Sequence, residues 1–176
     1  FAQIAYDQAG VHLKPGKESL VSARVAKRLR ALDIPTPRAY LKYLEEDESG
    51  EEIVQFLDAI TTNFTSFFRE PDHFELLRDS LEEWVAAGQK KFRFWSAASS
   101  SGEEPYSIAM TVAEVLNGSF FDARILATDI STRVLRKASD GEYTSENVSG
   151  VPKFYLTKYF DRGSVKTKKG VDKKIY

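Results

Sequence analysis

A short run of small and acidic residues has the composition of a ligand-binding turn in an α/β protein. Residues 99–104 read Ser-Ser-Ser-Gly-Glu-Glu and lie between a strand candidate and a helix candidate. Ligands of open α/β sheets bind at the carboxyl ends of the strands. The two carboxylates favour a cationic ligand over a phosphate, because like charges repel. A plain strand-to-helix turn explains the run about equally well, since it has neither a P-loop nor a nucleophile-elbow pattern.

A second carboxylate stands at the end of the next strand candidate. Asp129 follows residues 124–128, which are mostly apolar. In Rossmann-type sites, an acidic residue at the end of the second strand accepts hydrogen bonds from ribose hydroxyls. The alternative is that Asp129 caps the following helix. Ser131 already offers a cap there, so the ribose role is the favoured interpretation.

A third polar segment precedes the strands. Asn63, Thr65 and Arg69 alternate with aromatic residues near the end of a predicted helix. The simplest interpretation is a domain linker whose phenylalanines pack two halves together, with Arg69 and Glu70 forming a surface ion pair. The alternative is that the three polar side chains line a ligand pocket.

Hydrophobic periodicity divides the chain into a helical part and an α/β part. Apolar residues at helical spacing predict helices over residues 17–32, 36–44, 51–60, 72–87, 104–116 and 131–138. The first of two predicted strands covers residues 92–97 and the second covers 124–128. Strand–helix–strand–helix order indicates a parallel, Rossmann-like sheet. We therefore predict a helical domain, residues 1–62, followed by an α/β domain, residues 63–176.

The composition excludes several classes of protein. A net charge of −1 over 176 residues argues against a protein that coats nucleic acid, and the absence of cysteine excludes disulfides and thiolate metal sites. His12 and His73 are isolated, so no metal site is predicted. Without an apolar run of transmembrane length or a signal peptide, we expect a cytoplasmic protein. The missing initiator Met predicts that the chain begins inside a longer natural protein, and the small number of strands predicts that the chain continues past Tyr176.

Three motifs together resemble the chemotaxis receptor methyltransferase family (CheR). They occupy residues 61–70, 94–110 and 127–130. The resemblance covers nearly the whole chain. It implies a small all-helical N-terminal domain followed by a Rossmann-like methyltransferase domain that depends on S-adenosyl-L-methionine. That second domain is expected to be incomplete here and to include the start of a small β-insertion near residues 160–176.

The resemblance also implies an activity and its residues. The family methylates glutamate side chains of chemoreceptors and releases S-adenosyl-L-homocysteine. The expected cofactor-binding residues are Asn63, Thr65, Arg69, Glu104 and Asp129. Glu104 matches the residue at the methionyl end of the cofactor, with Glu103 as the adjacent alternative. Arg69 is the candidate catalytic residue, orienting the incoming glutamate or the cofactor. The alternative function is a non-catalytic or signalling module that binds S-adenosylmethionine.

A basic helix is the candidate docking surface. Residues 11–44 contain eight Lys and Arg residues and two acidic ones. The predicted receptor-docking side chains are Arg24, Lys27, Arg28 and Arg30. In the resembled family this helix contacts the receptor, whose glutamates a basic surface would attract. A solvated face is the ordinary alternative, and the acidic stretch 45–52 disfavours DNA binding. The expected partners are cytoplasmic receptor helices and possibly a receptor C-terminal peptide, with membrane association only through receptors.

Overall fold

A computed structural model of the protein describes residues 1–117, 120–166 and 172–176. The first four helices are α1 (Ala2–Ala9), α2 (Glu18–Leu32), α3 (Pro37–Glu46) and α4 (Glu51–Ile60). The elements that follow are α5 (Pro71–Ala86), β1 (Lys91–Ala97), α6 (Glu103–Val115), β2 (Asp122–Thr128), α7 (Thr132–Asp140), α8 (Lys153–Tyr159), β3 (Gly163–Lys166) and β4 (Asp172–Ile175). The chain forms two compact units, Phe1–Thr62 with Ile130–Arg133, and Asn63–Asp129 with Val134–Tyr176.

The helices of the first unit begin and end at residues that suit their backbone positions. Thr36 accepts a hydrogen bond from the Ala39 amide at 3.2 Å, and Pro37 fills the first helical position. Gly10 ends α1 in the left-handed conformation that glycine tolerates. One apolar cluster joins all four helices: Ala5, Val25, Tyr40, Leu44, Phe56, Leu57 and Ile60.

The second unit is built around a parallel pair of strands. β1 and β2 run in register from Lys91↔Asp122 to Ala97↔Thr128. One cluster, which contains Leu81, Phe92, Val112 and Leu116, joins α5, β1 and α6. A second cluster contains Phe67, Met110, Tyr143, Val148, Val151 and Tyr155, and packs α6 and α8 against the residues between them. The parallel register brings the carboxyl ends of both strands to one edge, where the predicted site residues follow.

The last strands form an antiparallel pair, β3 and β4, with Gly163 opposite Ile175. Both strands lie within residues 160–176, where the start of a small β-insertion is predicted, and residues 167–171 between them lie outside the described residues. Tyr176 exchanges two backbone hydrogen bonds with Tyr143, at 2.8 and 3.0 Å. Among the described residues, no helix has both the length and the apolar character required to cross a bilayer.

Candidate active site

The turn between β1 and α6 has an unusual backbone. Ala98, Ser100 and Gly102 adopt left-handed conformations, with φ of 62°, 48° and 98°. For a non-glycine residue this conformation costs roughly 1–2 kcal/mol, so it persists only when neighbouring groups hold it. Strained turns of this kind are concentrated at ligand sites and active sites.

Hydrogen bonds to the residues at the end of β2 and to Tyr143 hold this turn. The Ser99 amide donates to the Thr128 carbonyl at 2.9 Å, and the Ser100 amide donates to Asp129 Oδ2 at 2.9 Å. The Tyr143 hydroxyl donates to the Ser101 carbonyl at 2.7 Å. Burial raises the pKa of Tyr143 well above its usual value, so this hydroxyl keeps its proton and remains a donor. Asp129 therefore lies directly against the turn, as the parallel register requires.

Gly102 is required by space as well as by conformation. A Cβ at this position would lie 2.7 Å from Tyr143 Oη and 2.9 Å from Ala138 Cβ. Both distances are well inside van der Waals contact. No larger residue fits without moving Tyr143 off the turn.

The two adjacent glutamates at the start of α6 have different surroundings. Glu103 is buried (3% exposed) and accepts a hydrogen bond from Ser101 Oγ at 2.7 Å. Glu104 is exposed, and its Oε1 accepts a hydrogen bond from Ser96 Oγ on β1 at 2.7 Å. A negative charge is favourable at a helix N-terminus in either position. Only the Glu104 carboxylate is open to a ligand.

Residues 63–70 lie against this turn. The Asn63 carbonyl accepts a hydrogen bond from Ser100 Oγ at 3.0 Å, and the Phe68 amide donates to Ser107 Oγ at 3.0 Å. Asn63 Nδ2 and Ser99 Oγ are buried without a hydrogen-bond partner among the described residues. Buried polar groups are normally paired, so each of these atoms is a candidate partner for a polar group of a ligand.

Arg69 lies at the exposed end of this segment. Its guanidinium sits 5.5 Å from the centre of the Phe64 ring, and Nη1 donates to the Phe64 carbonyl at 3.3 Å. The predicted ion pair with Glu70 is long, at 4.0 Å, and the Arg69 side chain remains 54% exposed. Thr65 is half-buried in the same segment. The structure thus brings Asn63 to the turn and leaves the Arg69 guanidinium accessible.

The basic side chains of α2 divide into two pairs. Arg24 donates to the carbonyls of Ile60 and Thr61, and so caps the end of α4. Arg28 forms a two-pronged ion pair with Glu52, at 2.9 and 2.6 Å, and this hydrogen bonding raises the pKa of Arg28. Lys27 and Arg30 are exposed. The four predicted docking residues are therefore not equivalent, since two of them contribute to the fold of the first unit.

Two residues of the site gave little signal in the sequence. Tyr143 lies in a stretch without clear periodicity, and nothing about its position indicates a contact with the turn. Ser107 belongs to one of the motifs, but its type is ordinary for a helix. Their roles depend on residues about 40 positions away, and only the fold brings these together.

The fold and the site define a class of protein. A helical unit precedes a parallel α/β unit of Rossmann-like type, and acidic residues follow both strands of its sheet, an arrangement typical of enzymes that bind a nucleoside-containing cofactor. Residues 63–176 match the family model described as CheR methyltransferase, SAM binding domain, and residues 1–61 match CheR methyltransferase, all-alpha domain. The chain belongs to the CheR methyltransferase family, and the predicted fold class is confirmed.

Curated relatives agree with this assignment. The chain is 40% identical over 163 residues to the chemotaxis protein methyltransferase of Escherichia coli (strain K12), covering 93% of this chain and 56% of that protein. It is 38% identical over 159 residues to chemotaxis protein methyltransferase 2 of Pseudomonas aeruginosa, with coverages of 90% and 56%. It is 34% identical over 167 residues to the Borreliella burgdorferi chemotaxis protein methyltransferase, with coverages of 91% and 59%. The chain thus spans little more than half the length of these relatives.

Proposed function

We propose that the protein uses S-adenosylmethionine to methylate glutamate side chains of chemoreceptors, forming methyl esters in chemotaxis. The observation that carries the proposal is the exposed Glu104 carboxylate, held by Ser96 beside the strained turn against which residues 63–70 pack. Membership of the CheR methyltransferase family supports the cofactor, and the names of the relatives support a role in chemotaxis.

The donor set fits this cofactor. When bound, S-adenosylmethionine supplies an electrophilic methyl group on a positively charged sulfur. Glu104 provides the negative charge that suits its ammonium and sulfonium groups. Asp129, at the end of β2, is in the position that accepts hydrogen bonds from ribose hydroxyls in Rossmann-type sites. Asn63, with its unpaired buried amide nitrogen, and the half-buried Thr65 supply further polar contacts.

Arg69 is the proposed orienting group for the glutamate substrate or for the cofactor. A guanidinium has five N–H donors in a fixed plane, which suits a carboxylate. In the structure it is supported by the ring and carbonyl of Phe64, and its ion pair with Glu70 is long, at 4.0 Å. Its charge is therefore available to a carboxylate that enters the site.

The proposed reaction needs no general base. A glutamate side chain has an ordinary pKa of about 4.3, so it is already ionised near neutral pH. Bound S-adenosylmethionine would supply its methyl group to a carboxylate oxygen, with a carbon–oxygen bond replacing the carbon–sulfur bond and S-adenosylhomocysteine as the other product. The contribution of the protein is to align the two reactants and to exclude water.

Lys27 and Arg30 are the proposed receptor-docking residues. Both are exposed on α2, whereas Arg24 and Arg28 have intramolecular partners. A cytoplasmic receptor helix that displays glutamates would be attracted to these two charges. The two paired arginines would support docking indirectly, by fixing α2 against α4.

Transfer of a tritiated methyl group tests the proposed function. The full-length protein would be incubated with labelled S-adenosylmethionine and receptor-rich membranes, and the protein-bound label would then be treated with mild base. A carboxyl methyl ester releases its label as methanol. Cofactor binding without base-labile incorporation would favour the alternative, a non-catalytic module that binds S-adenosylmethionine.

A further inference from the structure

One buried hydroxyl joins the two segments of the candidate active site. Ser107 lies in the second turn of α6 and has no exposed surface (0%). Its Oγ accepts a hydrogen bond from the Phe68 amide at 3.0 Å and donates one to the Glu103 carbonyl at 2.6 Å. The hydroxyl therefore bridges α6 and residues 63–70.

The bridge meets residues 63–70 where the backbone is strained. Phe68 and Glu70, the two neighbours of Arg69, have φ of 52° and 54°. Left-handed conformations at non-glycine residues need support from their surroundings. The bond from Phe68 to Ser107 provides such support one residue before Arg69. The direction of the Arg69 side chain depends on that backbone.

A second buried hydroxyl of α6, that of Thr111, can be compared with the Ser107 hydroxyl. Thr111 is equally buried (1% exposed), and its Oγ1 donates to the Ser107 carbonyl at 2.9 Å, one turn further along the helix. Ser107 and Thr111 thus make the same bond to the carbonyl four residues earlier. Such bonds do not strengthen a helix. Among the described residues, Ser107 alone of the two also bonds to the segment that contains Arg69.

We propose that Ser107 is a positioning residue, which fixes the backbone at Phe68 and thereby directs the Arg69 guanidinium toward the reacting groups. The proposal rests on the role proposed above for Arg69. It makes the hydroxyl of Ser107 part of the methyltransferase site, although Ser107 is buried and acts only through Phe68.

The test compares Ser107→Ala with the matched variant Thr111→Val in the full-length protein. Each change removes one buried hydroxyl from α6, and only the first removes the bridge. We expect Ser107→Ala to speed amide hydrogen exchange at Phe68 by about tenfold, the effect of losing one hydrogen bond, and Thr111→Val to leave it unchanged. This measurement does not depend on methyl transfer.

A double-mutant cycle with Arg69→Ala then shows whether Ser107 acts through Arg69. We expect Ser107→Ala to lower kcat/KM for methyl transfer about tenfold when Arg69 is present, and less than about twofold when Arg69 is already alanine. Equal losses in both backgrounds would overturn the proposal, because Ser107 would then act on general stability. Equal exchange rates at Phe68 in the two single variants would also overturn it. If the wild type transfers no methyl group, the proposed function fails, and the exchange measurement alone decides whether the bridge holds Phe68.

Discussion

Two glutamates, one from each compact unit, have different surroundings. In the first unit, Glu52 is nearly buried (6% exposed) and is bonded to both Arg28 and the Tyr40 hydroxyl. In the second unit, Glu104 lies at the start of α6, is exposed, and accepts a hydrogen bond from Ser96 of β1. The Glu52 carboxylate stabilises the fold through its partners, whereas the Glu104 carboxylate is held in place and remains accessible to a ligand. A charged residue therefore indicates a site only after its partners are known.

The two units also differ in where their backbone is strained. In the first unit, the one described non-glycine residue with left-handed φ is Asp33, which ends α2. The four in the second unit are Phe68, Glu70, Ala98 and Ser100. All four lie in the two segments that form the candidate site. In the second unit, the strained non-glycine residues lie where a ligand is proposed to bind. In the first unit, the strained residue ends a helix.

The largest effect is expected at the strained turn. Gly102→Ala would place a Cβ 2.7 Å from Tyr143 Oη in a conformation that alanine disfavours. We expect a loss of about 3 kcal/mol in the free energy of unfolding, measured by chemical denaturation. Binding of S-adenosylmethionine should weaken as well, because Tyr143 can no longer hold Ser101.

Gly88→Ala is the matched control for this change. Gly88 also has a left-handed φ, of 87°, and a Cβ there would meet no atom within 4 Å. We expect a loss of only about 1 kcal/mol, with cofactor affinity unchanged. Equal losses at both glycines would show that crowding by Tyr143 does not constrain the turn.

The next largest effect is expected at Glu52, whose carboxylate has partners within the first unit. Glu52→Gln leaves the half-buried Arg28 without its counter-charge, so we expect a loss of about 2 kcal/mol in the free energy of unfolding. Affinity for S-adenosylmethionine should remain that of the wild type. A fall in that affinity, measured by calorimetry on the folded variant, would contradict a purely structural role for Glu52.

A substitution at Glu104 tests the exposed carboxylate. Glu104→Gln should weaken binding of S-adenosylmethionine about tenfold, or about 1.4 kcal/mol, since a charged contact becomes a neutral one. Its effect on the free energy of unfolding should be small, because the side chain is exposed. Glu82→Gln, at an exposed position of α5, is the control. Unchanged affinity in the Glu104 variant would remove Glu104 from the site.

The smallest effect concerns the exposed basic residues of α2. Reversing Lys27 and Arg30 together to glutamate should lower kcat/KM for receptor methylation about fivefold at low salt, and less at high salt. Cofactor affinity should not change. Reversing the exposed Lys90 and Lys153 gives the same change in net charge at other positions and serves as control. Equal losses in the two double variants would rule out docking through α2.

The sequence predicted the elements whose residues repeat at regular spacing. The strands β1 and β2 and the helices from α2 to α6 fall within a few residues of their predicted bounds. By contrast, α1 has only eight residues, which is too short for a clear periodic pattern. The same holds for α8, which has seven residues.

The sequence names candidate site residues, but it does not give their contacts. Glu103 and Glu104 are adjacent and chemically identical, so no spacing rule separates them. Glu103 is buried and Glu104 is exposed only once α6 packs in the folded unit. Similarly, Arg24 and Arg28 look like their exposed neighbours until α4 brings Ile60 and Glu52 beside them. Contacts between distant residues depend on how the helices and strands pack, and local sequence patterns do not predict that packing.

Mapping the methylated atoms on a receptor is the most direct measurement of the proposed chemistry. The full-length protein would be supplied with S-adenosylmethionine and a receptor fragment, and the products analysed by peptide mass spectrometry. We predict a base-labile methyl group on glutamate side chains, lost when those glutamates are replaced by glutamine and strongly reduced by Arg69→Ala. Bound cofactor with no methyl ester on any glutamate, or a methyl group stable to base, would contradict it.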